Sequence, residues 1–347
     1  MESSRQRTFL CGAFKGMGDL VCAAPVIACE LNAGAEVTVL VYPQVADFFE
    51  LLDFGSNRKS LHACTLPVRG AGKSVRKFFR QMSRLSPDVV WVSPHAPKSV
   101  ASWKIPLLLW TLKKRYWSKA QLTCAASEPL SWLFDVRIPV NRGLPYMARE
   151  WTAYSALSGN AEMFPPQIVF RESIRLSRCL PSAYDIVIHP GAGTENRKWP
   201  VHRFAELMKY ISEDYRIAVV GLARDVAALQ AVLPRNRGIK FLTGSLEDAI
   251  ISIARSRVAL TMDSGSMFFT HILGVPAVSL FGPSDPANVI PLSGNVHPVY
   301  EQKWSCQPCR MPRCRQRSVY CMASLEPKAV AEQLLRLLQP FYQSLKS

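Results

Sequence analysis

RTFLCGAFKGMGDLVCAAPVIACELNAGAEVTVLVYP, residues 7 to 43, carries three patterns in one run. RTFLCGAF has the apolar composition of a buried strand, and KGMGD supplies a glycine turn. LVCAAPVIACELNAG reads as a helix ended by glycine, and EVTVLVYP as a second strand. Strand, turn, helix and strand in this order make a βαβ unit, which requires a parallel sheet covered by helices.

The same grammar restarts in the second half. YDIVIHPGAG is a strand and loop, and WPVHRFAELMKYISEDY a helix with Pro200 suited to its first turn. RIAVVG is a strand, DVAALQAVL a helix and IKFLTG a strand. SLED opens the next helix with a Ser-x-x-Asp cap. VALTMD, SMFFTHILG and PAVSLFG complete the alternation as strand, helix and strand. The proline-bearing stretch GNAEMFPPQIVFRES near residues 159 to 173 is the candidate linker. The expectation is an α/β protein with two Rossmann-like domains, residues 1–165 and 166–347, facing across a cleft at the carboxyl ends of their strands.

Composition agrees with folded domains. The chain has 347 residues, 48% hydrophobic and 20% charged. No apolar run reaches the roughly 20 residues that cross a bilayer, and MESSRQRTFL lacks a signal-peptide core. A cytoplasmic location is therefore expected. Against 26 Asp and Glu stand 42 Lys and Arg, a formal charge of +16. Such a balance attracts anions, but no zinc-finger, basic-zipper or RNP-type motif points to nucleic acid. Without an export signal the ten cysteines are expected to be reduced. Cys11, Cys22, Cys29, Cys64, Cys124 and Cys179 read as small buried hydrophobes.

Three turns carry the chemistry. In the first, Gly16 and Gly18 follow a strand, but Val21 stands where a dinucleotide fingerprint needs a third glycine. No acidic residue ends the following strand, so NAD is not expected. Lys15, Gly16 and Gly18 remain as a glycine turn at a helix N-terminus, able to receive an anion or a hydroxyl-bearing substrate. Asp19 there reads, on the loop alone, as a helix cap. In the second turn, HPGAGTENRKWP, Gly191, Gly193 and Thr194 permit backbone N–H groups to approach a phosphate, and Arg197 and Lys198 add positive charge. A solvated loop would explain the cations but not the paired glycines. In the third, Asp263, Ser264 and Gly265 fall where a strand hands over to a helix, with FGPSDP as a second turn beyond the next strand. Carboxylate, hydroxyl and helix N-terminus together suit sugar hydroxyls and phosphate, although Asp-Ser-Gly is also an ordinary turn sequence.

In order and spacing GMGD, HPGAG…KWP…RFAEL, the VVG strand with a following acid, and DSGSM…LGVPAVSLFGPSDP resemble glycosyltransferase family 9. That is the ADP-heptose:lipopolysaccharide heptosyltransferase family. The resemblance implies a GT-B architecture, with the nucleotide-sugar donor held by the C-terminal domain and the acceptor by the N-terminal one. It implies inverting transfer of a heptose from ADP-heptose to a lipopolysaccharide core or similar glycan, with no metal at the reaction centre. By the same resemblance Asp19 is the general base, Lys198 meets the donor diphosphate, Asp225 holds the ribose, and Asp263, Ser264 and Gly265 contact donor sugar and phosphates. One departure stands out: Phe268 occupies the place of the family's histidine, with His271 one helical turn further on. A different nucleotide-sugar, a protein or small-molecule acceptor, and a non-catalytic nucleotide-sugar binder are the rival readings.

Two further segments raise expectations. Cys306, Cys309, Cys314 and Cys321 of the Cys-rich loop 304–321 are spaced C-x2-C-x4-C-x6-C. They read either as a structural zinc or iron site or as unligated thiols. Arg310, Arg313, Arg315 and Arg317 surround them. KIPLLLWTLKKRYWSK, residues 104 to 119, reads either as a peripheral contact with anionic membrane, where a lipid-linked acceptor would be met, or as a helix with Leu and Trp in the core.

Overall fold

The computed structural model describes residues 6–14, 16–67, 72–93, 104–125, 131–159, 165–235, 238–309, 311, 313–316 and 318–343. They fall into two compact units divided between Ile168 and Val169. Lys15, Arg310 and Arg317 lie outside the described residues.

In the first unit, β1 (Thr8–Phe14), α1 (Met17–Asn32) and β2 (Glu36–Val41) form the βαβ unit that opens the sequence. After them come α2 (Pro43–Leu51), β3 (Leu61–Thr65), α3 (Gly72–Arg84), β4 (Val89–Trp91), α4 (Lys104–Tyr116), β5 (Gln121–Ala125), β6 (Val136–Ile138) and α5 (Tyr146–Ser158). The six strands are parallel, in the order 3-2-1-4-5-6.

The second unit repeats the plan. It contains α6 (Glu172–Cys179), β7 (Tyr184–His189), α7 (Val201–Leu207), β8 (Ile217–Val220), α8 (Ala223–Gln230), β9 (Lys240–Leu242), α9 (Leu246–Ala254), β10 (Ser256–Met262), α10 (Gly265–Leu273), β11 (Ala277–Phe281), α11 (Pro286–Val289), β12 (Val296–Tyr300), α12 (Tyr320–Ala323) and α13 (Pro327–Gln343). Its strands run parallel in the order 9-8-7-10-11-12, the same doubly wound topology. Every residue of β8 and β11 is buried, as strands covered on both faces require.

Local chemistry explains where elements stop. Gly274 ends α10 at φ 64°, the left-handed conformation that only glycine adopts freely. Ser245 caps α9 by accepting from the Asp248 N–H, while the Asp248 carboxylate accepts from the Ser245 N–H. The helix expected over WPVHRFAELMKYISEDY is shorter than its sequence promised. It covers Val201–Leu207, after which the backbone tightens into turns, with the Lys209 and Tyr210 N–H groups donating three residues back to the Glu206 and Leu207 carbonyls.

The 104–119 segment is a helix whose inner face joins the first unit's core: Leu109, Leu112 and Trp117 are buried. The indole of Trp117 donates to the Met82 carbonyl, and Lys113 pairs with Asp135. No helix among the described residues is long and apolar enough to cross a membrane.

Candidate functional site

In a doubly wound sheet, ligands gather where the strand order reverses, at the carboxyl ends of the two central strands. In the second unit those strands are β7 and β10, followed by residues 190–198 and by Asp263–Ser264. The two turns meet through charge: Arg197 Nε lies 3.3 Å from Asp263 Oδ2. Beside them Lys198 donates to Asp225 Oδ1 at 2.8 Å and pairs with Glu195 Oε1 at 2.7 Å. Partial burial works against the Lys198 charge, but these two hydrogen bonds outweigh it and hold its pKa above the usual lysine value. Lys198, expected to meet a phosphate, is thus tied to Asp225, expected to hold a ribose.

The HPGAG glycine has a steric reason. A Cβ on Gly191 would sit 3.1 Å from both Asp225 Oδ2 and His189 Cε1. Gly193, by contrast, faces open space. His189 ends β7 beneath this turn, and burial pushes its pKa down, leaving a neutral imidazole at pH 7. His189 Nδ1, Asp225 Oδ2 and Thr194 Oγ1 are buried and form no hydrogen bond among the described residues. Buried polar atoms without partners are costly, so their gathering around one turn marks a place built to receive a polar ligand. A cavity of about 320 Å³ opens here, lined by Lys198 and Asp225 together with Trp199, Phe204 and Leu229. Trp199 is the anchor: its ring packs edge-on to Phe204 and its N–H donates to the Leu325 carbonyl, fixing the residue next to Lys198.

At the third turn Ser264 is the N-cap of α10, with its hydroxyl 2.8 Å from that of Ser266, and Gly265 is the first helical residue. Phe268 is buried with the apolar face of the helix. His271 does not replace the missing imidazole as a cation, since burial lowers its pKa to about 4. Ser284, in the FGPSDP turn, is buried, and Asp285 caps α11 by accepting from the Ala287 N–H.

In the first unit, Asp19 stands at the third position of α1, not at its N-cap, and its Oδ2 accepts from the Gly16 N–H at 2.9 Å. The carboxylate thus holds the turn that presents it. Gly18 lies in the first turn of α1, beside it. Sequence reasoning missed Glu150 of α5, a fully buried carboxylate that accepts from the Trp91 indole and the Ser93 hydroxyl, both at 2.6 Å. These partners lie at the carboxyl end of β4, far from Glu150 in sequence.

Cys306, Cys309, Cys314 and Cys321 form no disulfide, and no three His, Cys, Asp or Glu side chains converge as metal ligands among the described residues. Cys321 is buried beside Gly282, Cys309 and Cys314 are partly buried, and Cys306 is exposed. Burial pushes the Cys321 thiol up to about 11, helped by the charges of the other three. Of the remaining cysteines, Cys11, Cys22 and Cys64 are buried as expected, but Cys29 is only partly buried and Cys179 is exposed at the end of α6. The side chain of Cys124 lies outside the described residues.

Comparison with known proteins agrees with this picture. The sequence profile of Glycosyltransferase family 9 (heptosyltransferase) matches residues 76–319. Lipopolysaccharide heptosyltransferase 2 of Escherichia coli is 35% identical over 183 residues, 46% of this chain and 53% of the relative. The chain spans 30% to 53% of the length of the curated relatives it matches. Among solved structures, the E. coli ADP-heptose lps heptosyltransferase II superposes with a TM-score of 0.67 at 21% identity, covering 97% of this chain and 100% of the other. A glycosyl transferase family 9 protein from Veillonella parvula gives 0.70 at 17% identity, covering 98% and 99%. Both share the fold of two parallel-sheet α/β units. The chain belongs to glycosyltransferase family 9, the heptosyltransferase family.

Proposed function

We propose that this chain is an inverting glycosyltransferase that moves a heptose from ADP-heptose to a hydroxyl of a lipopolysaccharide core or similar glycan. The observation that carries the reading is the pairing of Arg197 with Asp263 and of Lys198 with Asp225 around the turns after β7 and β10. In this reading Lys198, Arg197 and the backbone of residues 190–197 receive the diphosphate. Gly191, Gly193 and Thr194 shape that turn, and Asp225 takes the ribose. Asp263, Ser264 and Gly265 orient the donor sugar. Cations and backbone donors then offset the charge that builds on the departing diphosphate. Asp19, beside Lys15, Gly16 and Gly18 on the acceptor-side loop, removes the proton from the acceptor hydroxyl as its oxygen attacks the anomeric carbon. One displacement inverts that centre and releases ADP.

The test separates base from cap. Asp19→Asn keeps an oxygen that can accept from the Gly16 N–H but cannot act as a base. ADP release from ADP-heptose in the presence of a core-glycan acceptor should fall by about 10²–10⁴-fold, while affinity for ADP stays. Unchanged turnover contradicts the assignment.

Phe268 supports a second reading, a different nucleotide-sugar, because its burial leaves no imidazole at the position where the family has one. A protein or small-molecule acceptor belongs to the same alternative. Two parts of the reading stand apart from catalysis. A structural zinc or iron at Cys306, Cys309, Cys314 and Cys321 requires those thiols to close on one another, and metal analysis of protein purified without chelator tests it. Peripheral contact of the cytoplasmic protein with the inner membrane, to meet a lipid-linked acceptor, is tested with anionic liposomes at low salt.

A further inference from the structure

The Cys-rich loop touches the proposed donor site at three places. Gln307, only 7% exposed, donates from Nε2 to the Gly282 carbonyl at 2.8 Å and to the Glu301 carbonyl at 2.9 Å. Its Oε1 accepts from the N–H groups of Lys303 and Trp304 at 3.1 and 3.0 Å. All four capacities of this amide are therefore spent on backbone, folding the start of the loop and fastening it to the turn after β11. The Cys309 N–H adds a second tie, donating to the Pro283 carbonyl at 3.0 Å. On the other side Asn196, 2% exposed, donates to the Met311 carbonyl at 2.6 Å from within the 190–198 turn. Further along, Ser318 and Val319 line the same cavity as Lys198 and Asp225, and Cys314 Sγ lies 3.5 Å from the Ser318 carbonyl.

We propose that Gln307 is a positioning residue for the nucleotide diphosphate site, docking the cysteine loop so that it braces the 190–198 turn through Met311 and Asn196 and completes the cavity wall. The proposal rests on the reading that this unit binds the ADP moiety. It assigns the loop a task that requires no metal. Two buried amides, one at each end of the docked segment, hold it by hydrogen bonds to main chain. A turn that must present Arg197 and Lys198 to a ligand gains its geometry from such support.

Coupling between sites is reciprocal. If docking of the loop favours ADP, then ADP favours docking and shields the loop's thiols. Two variants test this. Gln307→Glu keeps the acceptor toward Lys303 and Trp304 but loses the donor toward Gly282. Asn196→Asp loses the donor toward Met311 at unchanged size. Each should weaken ADP binding by calorimetry on the order of tenfold, the effect of losing a buried hydrogen bond. The two together should cost less than the product of the single effects, because both release one loop. In wild type, ADP should slow alkylation of Cys309 and Cys314 by iodoacetamide, and Gln307→Glu should abolish that protection. Variants that are folded by circular dichroism and bind ADP like wild type overturn the proposal, as does alkylation unaffected by ADP that the wild type demonstrably binds. A wild type that binds no ADP instead overturns the donor reading itself.

Discussion

Gly191 is a residue whose identity the site dictates by contact. Its neighbours Asp225 Oδ2 and His189 Cε1 lie where a methyl group would need room. Gly191→Ala should therefore displace the carboxylate that Lys198 holds, weakening ADP binding while costing about 1–3 kcal/mol of stability by overpacking. Calorimetry and urea unfolding read the two effects. His271 makes a second prediction, on pH. Its folded-state pKa of about 4 lies below the ordinary 6.5 because burial disfavours the charged ring. The unfolded chain binds the proton first as pH falls, so its stabilising contribution is present above pH 6.5 and is lost as pH falls toward 4. The loss amounts to at most about 3 kcal/mol for a shift of this size. Urea midpoints followed from pH 7 to pH 4 should drop, and His271→Gln should flatten the slope without removing it, since burial depresses the pKa of His189 as well.

At the scale of elements, α4 shows how one composition admits two readings. Its leucines and tryptophans suit a membrane surface, yet Leu109 and Leu112 are buried in the first unit's core, and Trp117 just beyond its end is buried with them. Leu112→Ala should cost about 2–5 kcal/mol in denaturant unfolding. Exposed Lys114→Gln should stay within about 0.5 kcal/mol of wild type. The strand–turn–helix alternation was legible because glycine stops, a Ser-x-x-Asp cap and runs of buried β-branched residues are local signals. Gly274 and Ser245 act where they were expected to. The end of α7 was not legible, because the chain passes into turns at residues 208–210 with no glycine or proline to mark the change.

At the scale of the molecule, two sheets with one strand order place the expected turns at the carboxyl ends of their central strands. Glycines and charges marked those turns in sequence, and with the family resemblance of their order and spacing Asp19, Gly191, Lys198, Asp225 and Asp263 could be named from it. The links between them could not be. Lys198 with Asp225, Arg197 with Asp263, Asn196 with Met311 and Trp91 with Glu150 join residues 27 to 115 positions apart, and nothing in either partner's local sequence announces the other. Calorimetric titration of the wild-type chain with ADP, UDP and GDP tests whether the second unit is the site of an ADP-sugar donor. ADP should bind measurably tighter than either competitor, through the turn that carries Arg197 and Lys198. No binding of ADP, with clear binding of UDP or GDP, would contradict it.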